Sequence, residues 1–180
     1  ILSDALSVSF NRNVGHDYLE DYEERYELYN RKESRIQFDL EFFNKITKGG
    51  LPNKTLNIAL AGTGVGKSLF MCHHASSVLL DGKNVLYITL EMAEEKIAER
   101  IDANLLNVNI QEIIDLPKPL FESKVTNLAK KTQGSLIIKE YPTASAHAGH
   151  FKALLSELSL KKAFKPDIIF IDYLNICASS

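Results

Sequence analysis

The stretch Thr55 to Ser68, TLNIALAGTGVGKS, sets the reading of the whole chain. Gly49, Gly50 and Pro52 mark a turn before it, and Thr55 to Leu60 (TLNIAL) has the composition of a short strand. Ala61-Gly62-Thr63-Gly64-Val65-Gly66-Lys67-Ser68 then forms a glycine-rich loop, followed by a helical pattern from Lys67 to Leu80 with Gly82 as its stop signal. Strand, glycine loop and helix in this order make a phosphate cradle. The glycines let backbone N–H groups curl around phosphate oxygens, and the helix presents its positive end to them. Lys67 is placed to reach the β- and γ-phosphates, and the Ser68 hydroxyl to ligate magnesium. Ala61 stands where the strict pattern has glycine. The bland alternative is a glycine-rich turn with no ligand.

Toward the C-terminus the chain alternates strands and helices. Val85 to Leu90 (VLYITL) reads as a buried strand, and Ile97, Ala98, Ile101 and Leu105 give the next segment a helical face, with Glu94 and Glu95 suited to its first turn. A helix follows Pro119 with Phe121, Val125 and Leu128 inward, ending at Gly134. Leu136 to Glu140 is a strand, Phe151, Leu154, Leu155 and Leu158 mark a helix, and Asp167 to Asp172 (DIIFID) is an apolar strand ending on a carboxylate. Such alternation implies βαβ units and an α/β fold with a parallel sheet. Ligands of open parallel sheets sit at the carboxyl ends of the strands, so Asp172 is a candidate magnesium ligand beside Ser68. A strand-end aspartate capping the next segment is the other reading. Residue 173 is tyrosine, so no second carboxylate is adjacent. Glu91 directly follows VLYITL. If that strand neighbours the strand of the glycine loop, Glu91 can orient and deprotonate an attacking water. Otherwise it is a charge at a helix start.

Composition narrows the classes of partner. Hydrophobic residues make up 45% of 180, enough for a core, and the net charge of −2 gives no overall electrostatic footprint for nucleic acid. Cys72 and Cys177 are far apart and suggest neither zinc nor a disulfide framework, so reduced, intracellular thiols are expected. No apolar run approaches the ~18 residues of a membrane span. His73 and His74 are neighbours on a helix and cannot chelate together, and His147 with His150 has no evident third ligand. Lys161, Lys162 and Lys165 form a small cationic cluster, read as a solvated helix end ahead of the alternative of a nucleic-acid contact. In the N-terminal segment, residues 1–35, Asp17 to Lys32 (DYLEDYEERYELYNRK) carries Leu19, Tyr22, Tyr26 and Tyr29 at helical spacing on a charged background. This stripe either packs back on its own domain or docks on a neighbouring subunit. The start at Ile1 and the stop soon after Asp172 lead to the expectation of a fragment.

With these residues in place, the chain resembles the RecA-like motor domain of DnaB-type hexameric replicative helicases, and is most similar to the T-even-like phage branch of that family. The resemblance rests on FFNKITKGGLPNKTLNIALAGTGVGKS, NVLYITLEMAEEKIAERIDANLL and KPDIIFIDYLNIC, and covers most of the chain from about Phe38 onward. Within these, Leu90-Glu91-Met92 with Arg100 beyond, and Asp172-Tyr173-Leu174, are family patterns, and Ala61 at the loop start is normal there. The resemblance implies ATP and Mg²⁺ as ligands, with Lys67 and Ser68 on phosphate and metal, Glu91 activating water and Asp172 completing the metal site. It implies that the tyrosine-rich helix is a linker packing on the next subunit. It also implies head-to-tail hexamers, single-stranded DNA and primase or other replisome proteins as partners, and a cytoplasmic location in a bacterial host if the source is a phage. DNA-binding loops and an arginine finger are expected beyond residue 180, so the fragment alone is expected to bind nucleotide and hydrolyse it poorly. The competing readings are a RecA-like assembly ATPase that ignores DNA and a small P-loop kinase.

Overall fold

The computed structural model describes residues 15–31 and 33–178. Residues 1–14 of the proposed linker segment, and Lys32 at the end of the tyrosine stripe, lie outside the described residues. In chain order the elements are α1 (Tyr22–Asn30), β1 (Arg35–Ile36), α2 (Glu41–Ile46), β2 (Leu51–Pro52), α3 (Lys67–Leu80), β3 (Val85–Thr89), α4 (Glu94–Leu106), α5 (Lys118–Lys131), β4 (Leu136–Glu140), α6 (Ala148–Lys162) and β5 (Ile168–Asp172), followed by a 3₁₀ turn over Leu174–Ile176. The chain divides into two units at the Ser34–Arg35 boundary.

In the first unit, the Asp17 carboxylate accepts from the Leu19 and Glu20 N–H groups at 3.0 Å each. Those bonds, from Glu20 and Leu19, hold its pKa below the ordinary aspartate range. This local turn keeps Leu19 out of the helix, so α1 starts at Tyr22 and is shorter than the predicted span of 17–32. None of its residues is buried, and Tyr22, Tyr26 and Tyr29 are exposed.

The second unit is built on a parallel sheet of order β4-β3-β5. β3 is central and every one of its residues is buried, because helices cover both faces. Val85 and Tyr87 face a layer made by Met71, Cys72, Ala75 and Val78 of α3 with Ile97 and Ile101 of α4. Leu86 and Ile88 face Leu154 and Leu158 of α6 together with Phe164. Asn84 aligns the strand starts. Its Oδ1 accepts from Ser135 N–H before β4, its Nδ2 donates to Lys165 O before β5, and its backbone exchanges bonds with Asp167. With the starts in register the ends are too, so Thr89 lies opposite both Glu140 and Asp172.

Two expectations need correction. TLNIAL is not a strand: residues 55–60 carry no ladder, and Leu56, Ile58 and Leu60 are 85%, 73% and 95% exposed. Among the described residues β5 pairs with β3 alone, so no neighbouring edge reaches this segment to hold it extended. On α5, Val125 is exposed, and Phe121 and Leu128 are only half-buried, because little packs over that helix besides α4. Elsewhere β1 and β2 form an antiparallel pair bracketing α2. Gly50 is required there: its φ is +111°, and a Cβ would lie 2.2 Å from the Ile36 carbonyl oxygen.

Candidate functional site

The glycine loop folds as a turn that needs its glycines. Gly64 and Gly66 have φ of +75° and +108°, where a side chain is strained, and Val65 N–H closes back on Gly62 O at 3.4 Å. Ala61, Gly62, Thr63, Gly64 and Val65 are exposed, and Gly66, Lys67 and Ser68 are half-buried. Gly66 opens α3 with no capping side chain and no acidic residue in the first turn. The N–H groups of that turn therefore have no intrahelical acceptor, and they face the loop with the positive end of the helix dipole behind them.

Lys67 and Asp172 converge. The Lys67 ammonium lies 3.5 Å from Asp172 Oδ1 and 3.7 Å from the centroid of the Tyr173 ring, which adds a cation–π contact. Asp172 is only 1% exposed, and its Oδ1 has no hydrogen-bond partner among the described residues. A buried carboxylate oxygen without a donor is the chemistry a hard cation fits. Ser68, at the second position of α3, and Asp172 are the residues that would hold magnesium. The other oxygen of Asp172, Oδ2, accepts from the Tyr87 hydroxyl at 3.1 Å. Sequence reading does not pick out Tyr87, since a tyrosine inside VLYITL reads as one more buried strand residue, and it marks Tyr173 only as the residue that follows Asp172.

Glu91 sits at the carboxyl edge of the sheet, exposed and between two anchored neighbours. Leu90 donates its N–H to Asp172 O at 2.9 Å and accepts from Thr143 Oγ1 at 2.8 Å. Met92 is held by Thr89 Oγ1, which accepts from its N–H at 3.1 Å and donates to its carbonyl at 2.8 Å. The neighbour relation expected for Glu91 needs correction. β3 neighbours the Asp172 strand, whereas the segment leading into the glycine loop is not in the sheet. Proximity to Asp172, through β5, is what places Glu91 at this edge.

The histidines serve structure. His73 Nε2 contacts Asp39 Oδ2 at 2.6 Å and its Nδ1 contacts Asn104 at 2.8 Å, tying α3 to α4 and to the loop before α2. His74 points inward, stacked on Phe38 at 4.3 Å and edge-on to Phe170 at 5.6 Å, with neither ring nitrogen bonded. Burial pushes its pKa down to about 4; Asp39 opposes that shift and His73 adds to it. Because its folded pKa lies below the unfolded value, His74 costs no stability above pH ~6.5. Between there and about pH 4 the unfolded chain binds the extra proton, and stability falls. The expected contribution is a slope of up to ~1.4 kcal/mol per pH unit in that window, reduced in His74→Leu, as read by urea unfolding at successive pH values. His147 and His150 cap α6: their Nδ1 atoms accept from the Gly149 and His147 N–H groups at 3.0 and 3.3 Å. Lys161 pairs with Glu157 on the exposed end of α6. One trio absent from the sequence reading, His16, Asp21 and Glu24, brings ligand atoms within 4.8 Å of one another. The Arg25 guanidinium already lies 3.0 Å from His16 Nε2, which opposes a cation there. No helix among the described residues is long and apolar enough to cross a membrane.

Comparison with known proteins gives the chain a family. The chain is 49% identical over 182 aligned positions to the DnaB-like replicative helicase of Enterobacteria phage T4, covering 99% of this chain and 38% of that protein. Its fold matches a solved DnaB-like replicative helicase, a structure described together with that protein's interactions with primase. The TM-score is 0.63 at 15% identity, over 99% of this chain and 43% of that one. The chain thus spans about two fifths of the length of each. Residues 36–180 match the DnaB-like helicase C terminal domain, and the chain belongs to that family.

Proposed function

We propose that residues 36–180 are the nucleotide-binding part of a motor that couples ATP hydrolysis to movement along single-stranded DNA and to duplex unwinding. The observation that carries this reading is the convergence of Lys67 on Asp172 at the open end of a glycine loop, in a chain of the DnaB-like family. In this reading the loop N–H groups of Gly62 to Ser68 and the Lys67 ammonium bind the β- and γ-phosphates. Magnesium, when bound, offsets charge on the phosphates. Ser68 and Asp172 hold it, directly or through water. Glu91 accepts a proton from the attacking water at its carboxylate, on a segment anchored through Leu90 and Met92. Lys67 must leave its contact with Asp172 Oδ1 to reach phosphate, which frees that oxygen for the cation.

The same reading assigns residues 1–35 to a linker, with the Tyr22, Tyr26 and Tyr29 stripe seated on the next copy in a head-to-tail ring. An arginine supplied by that copy would complete each site, an effect worth ~10³–10⁵ in rate where such fingers operate. A subunit on its own then binds nucleotide but turns it over slowly. Primase contact is proposed for the whole protein, in line with the solved relative. Single-stranded DNA added to the full-length protein should raise ATP turnover by about tenfold or more, as a translocating motor requires. Unchanged turnover would favour a nucleotide-dependent assembly protein that ignores DNA, and phosphoryl transfer to a small acceptor would favour a kinase.

A further inference from the structure

Tyr87 occupies a position where a hydroxyl is costly. Its side chain is completely buried in the central strand, among apolar residues of α3, α4 and β5. A phenylalanine would fill the same space without burying an oxygen, whose transfer from water is unfavourable unless it is hydrogen-bonded. The ring has little freedom. It stacks on Phe170 at 5.8 Å between centroids with an interplanar angle of 18°, and Phe170 is its register partner on β5. The ring is thus fixed by the same strand pair that carries Asp172.

The direction of the hydrogen bonds follows from the groups. Cys72 on α3 points its sulfur at the Tyr87 oxygen at 3.8 Å, and burial pushes its thiol up, keeping it an S–H donor. The Tyr87 phenol is protonated near neutral pH, as phenols ordinarily are, and so has a proton to give. With the thiol donating to the oxygen, the phenolic proton goes to Asp172 Oδ2 at 3.1 Å. A carboxylate on its own is a soft, two-fold rotor about χ2. Bonded through Oδ2 to a fixed hydroxyl, it turns Oδ1 alone toward Lys67.

We propose that Tyr87, backed by Cys72, is a positioning residue for the metal-binding carboxylate, holding Asp172 so that a single oxygen, Oδ1, is presented to the nucleotide-bound cation. The inference rests on the nucleotide reading of the site. It assigns to β3 a role in metal affinity, since partners that orient a ligand from behind commonly govern 10–100-fold of metal binding.

The test uses the full chain with Mn²⁺ as the probe and a non-hydrolysable ATP analogue bound, free and bound Mn²⁺ being distinguished by electron paramagnetic resonance. Tyr87→Phe removes one oxygen and leaves the ring packing in place. It is expected to weaken Mn²⁺ binding about tenfold while nucleotide affinity in chelator, without metal, stays within about twofold of wild type. A purely structural hydroxyl would not separate the two readouts. Asp172→Asn and Lys67→Ala run in parallel. If Lys67→Ala binds nucleotide as wild type does, or Asp172→Asn binds Mn²⁺ as wild type does, the nucleotide reading fails and the inference with it. If both lose binding as expected and Tyr87→Phe holds Mn²⁺ like wild type, the positioning role of Tyr87 alone is overturned.

Discussion

Lys67→Ala is expected to weaken ATP binding by roughly 100-fold, the largest loss of affinity from any single change in the chain. Charge-assisted hydrogen bonds to phosphate are among the strong polar contacts, and losing this one corresponds to about 2.7 kcal/mol. Position 67 concentrates that effect because the rest of the cradle is backbone. The loop N–H groups stay in place when the Lys67 side chain is truncated, whereas the only cation whose ion pair reaches Asp172 among the described residues is Lys67. The fold should tolerate the change, since Lys67 lies at the first turn of α3 and is half-buried with no other ion-pair partner among the described residues. Truncation also leaves the buried Asp172 carboxylate without its counter-charge, so a moderate loss of stability is expected alongside. Fluorescent-nucleotide titration of the folded variant measures the effect directly, and an affinity equal to wild type would remove the phosphate role from the loop.

The second large effect is on turnover and should leave binding alone. Glu91→Gln keeps the shape of the side chain and removes its capacity to accept a proton. General-base groups contribute typically 10²–10⁴-fold, and a fall of that order in single-turnover hydrolysis by the full-length protein is expected. Nucleotide affinity should be unchanged, because Glu91 is exposed at the sheet edge, outside the phosphate cradle. The anchoring of Leu90 by Asp172 and Thr143, and of Met92 by Thr89, does not involve the Glu91 side chain, so its substitution leaves the edge in place. A variant with full turnover would move the base to another residue.

Much of this architecture is legible in the residues themselves. Lys67–Leu80 and Leu136–Glu140 have the predicted bounds because each carries its own signals, glycines flanking the helix and a β-branched run in the strand. The candidate ligands Lys67 and Asp172 also meet, since the alternation of strands and helices brings strand ends and helix starts to one edge of a parallel sheet. What fails to show is anything that depends on the identity of a partner. TLNIAL has the side chains of a strand, yet a strand is held by the ladder beside it, and none of the described strands pairs with it. Val125 has helical spacing with Phe121, but spacing cannot say whether anything covers that face. The hydroxyl of Tyr87 finds its acceptor 85 residues away in sequence, and only the β3–β5 register reveals the pair. The exposed Tyr22, Tyr26 and Tyr29 stripe is the same kind of case: its periodicity is plain, and periodicity does not say what, if anything, covers it.

The claim on which the rest depends is that Ala61–Ser68 and Asp172 form one site for a magnesium–nucleotide complex. Calorimetric titration of ATP into the wild-type chain, with magnesium and again with chelator, tests it most directly. Saturable binding at a single site, weaker without magnesium and restored by adding it, is the predicted result. The absence of saturable binding in either condition, or binding indifferent to magnesium, would contradict it.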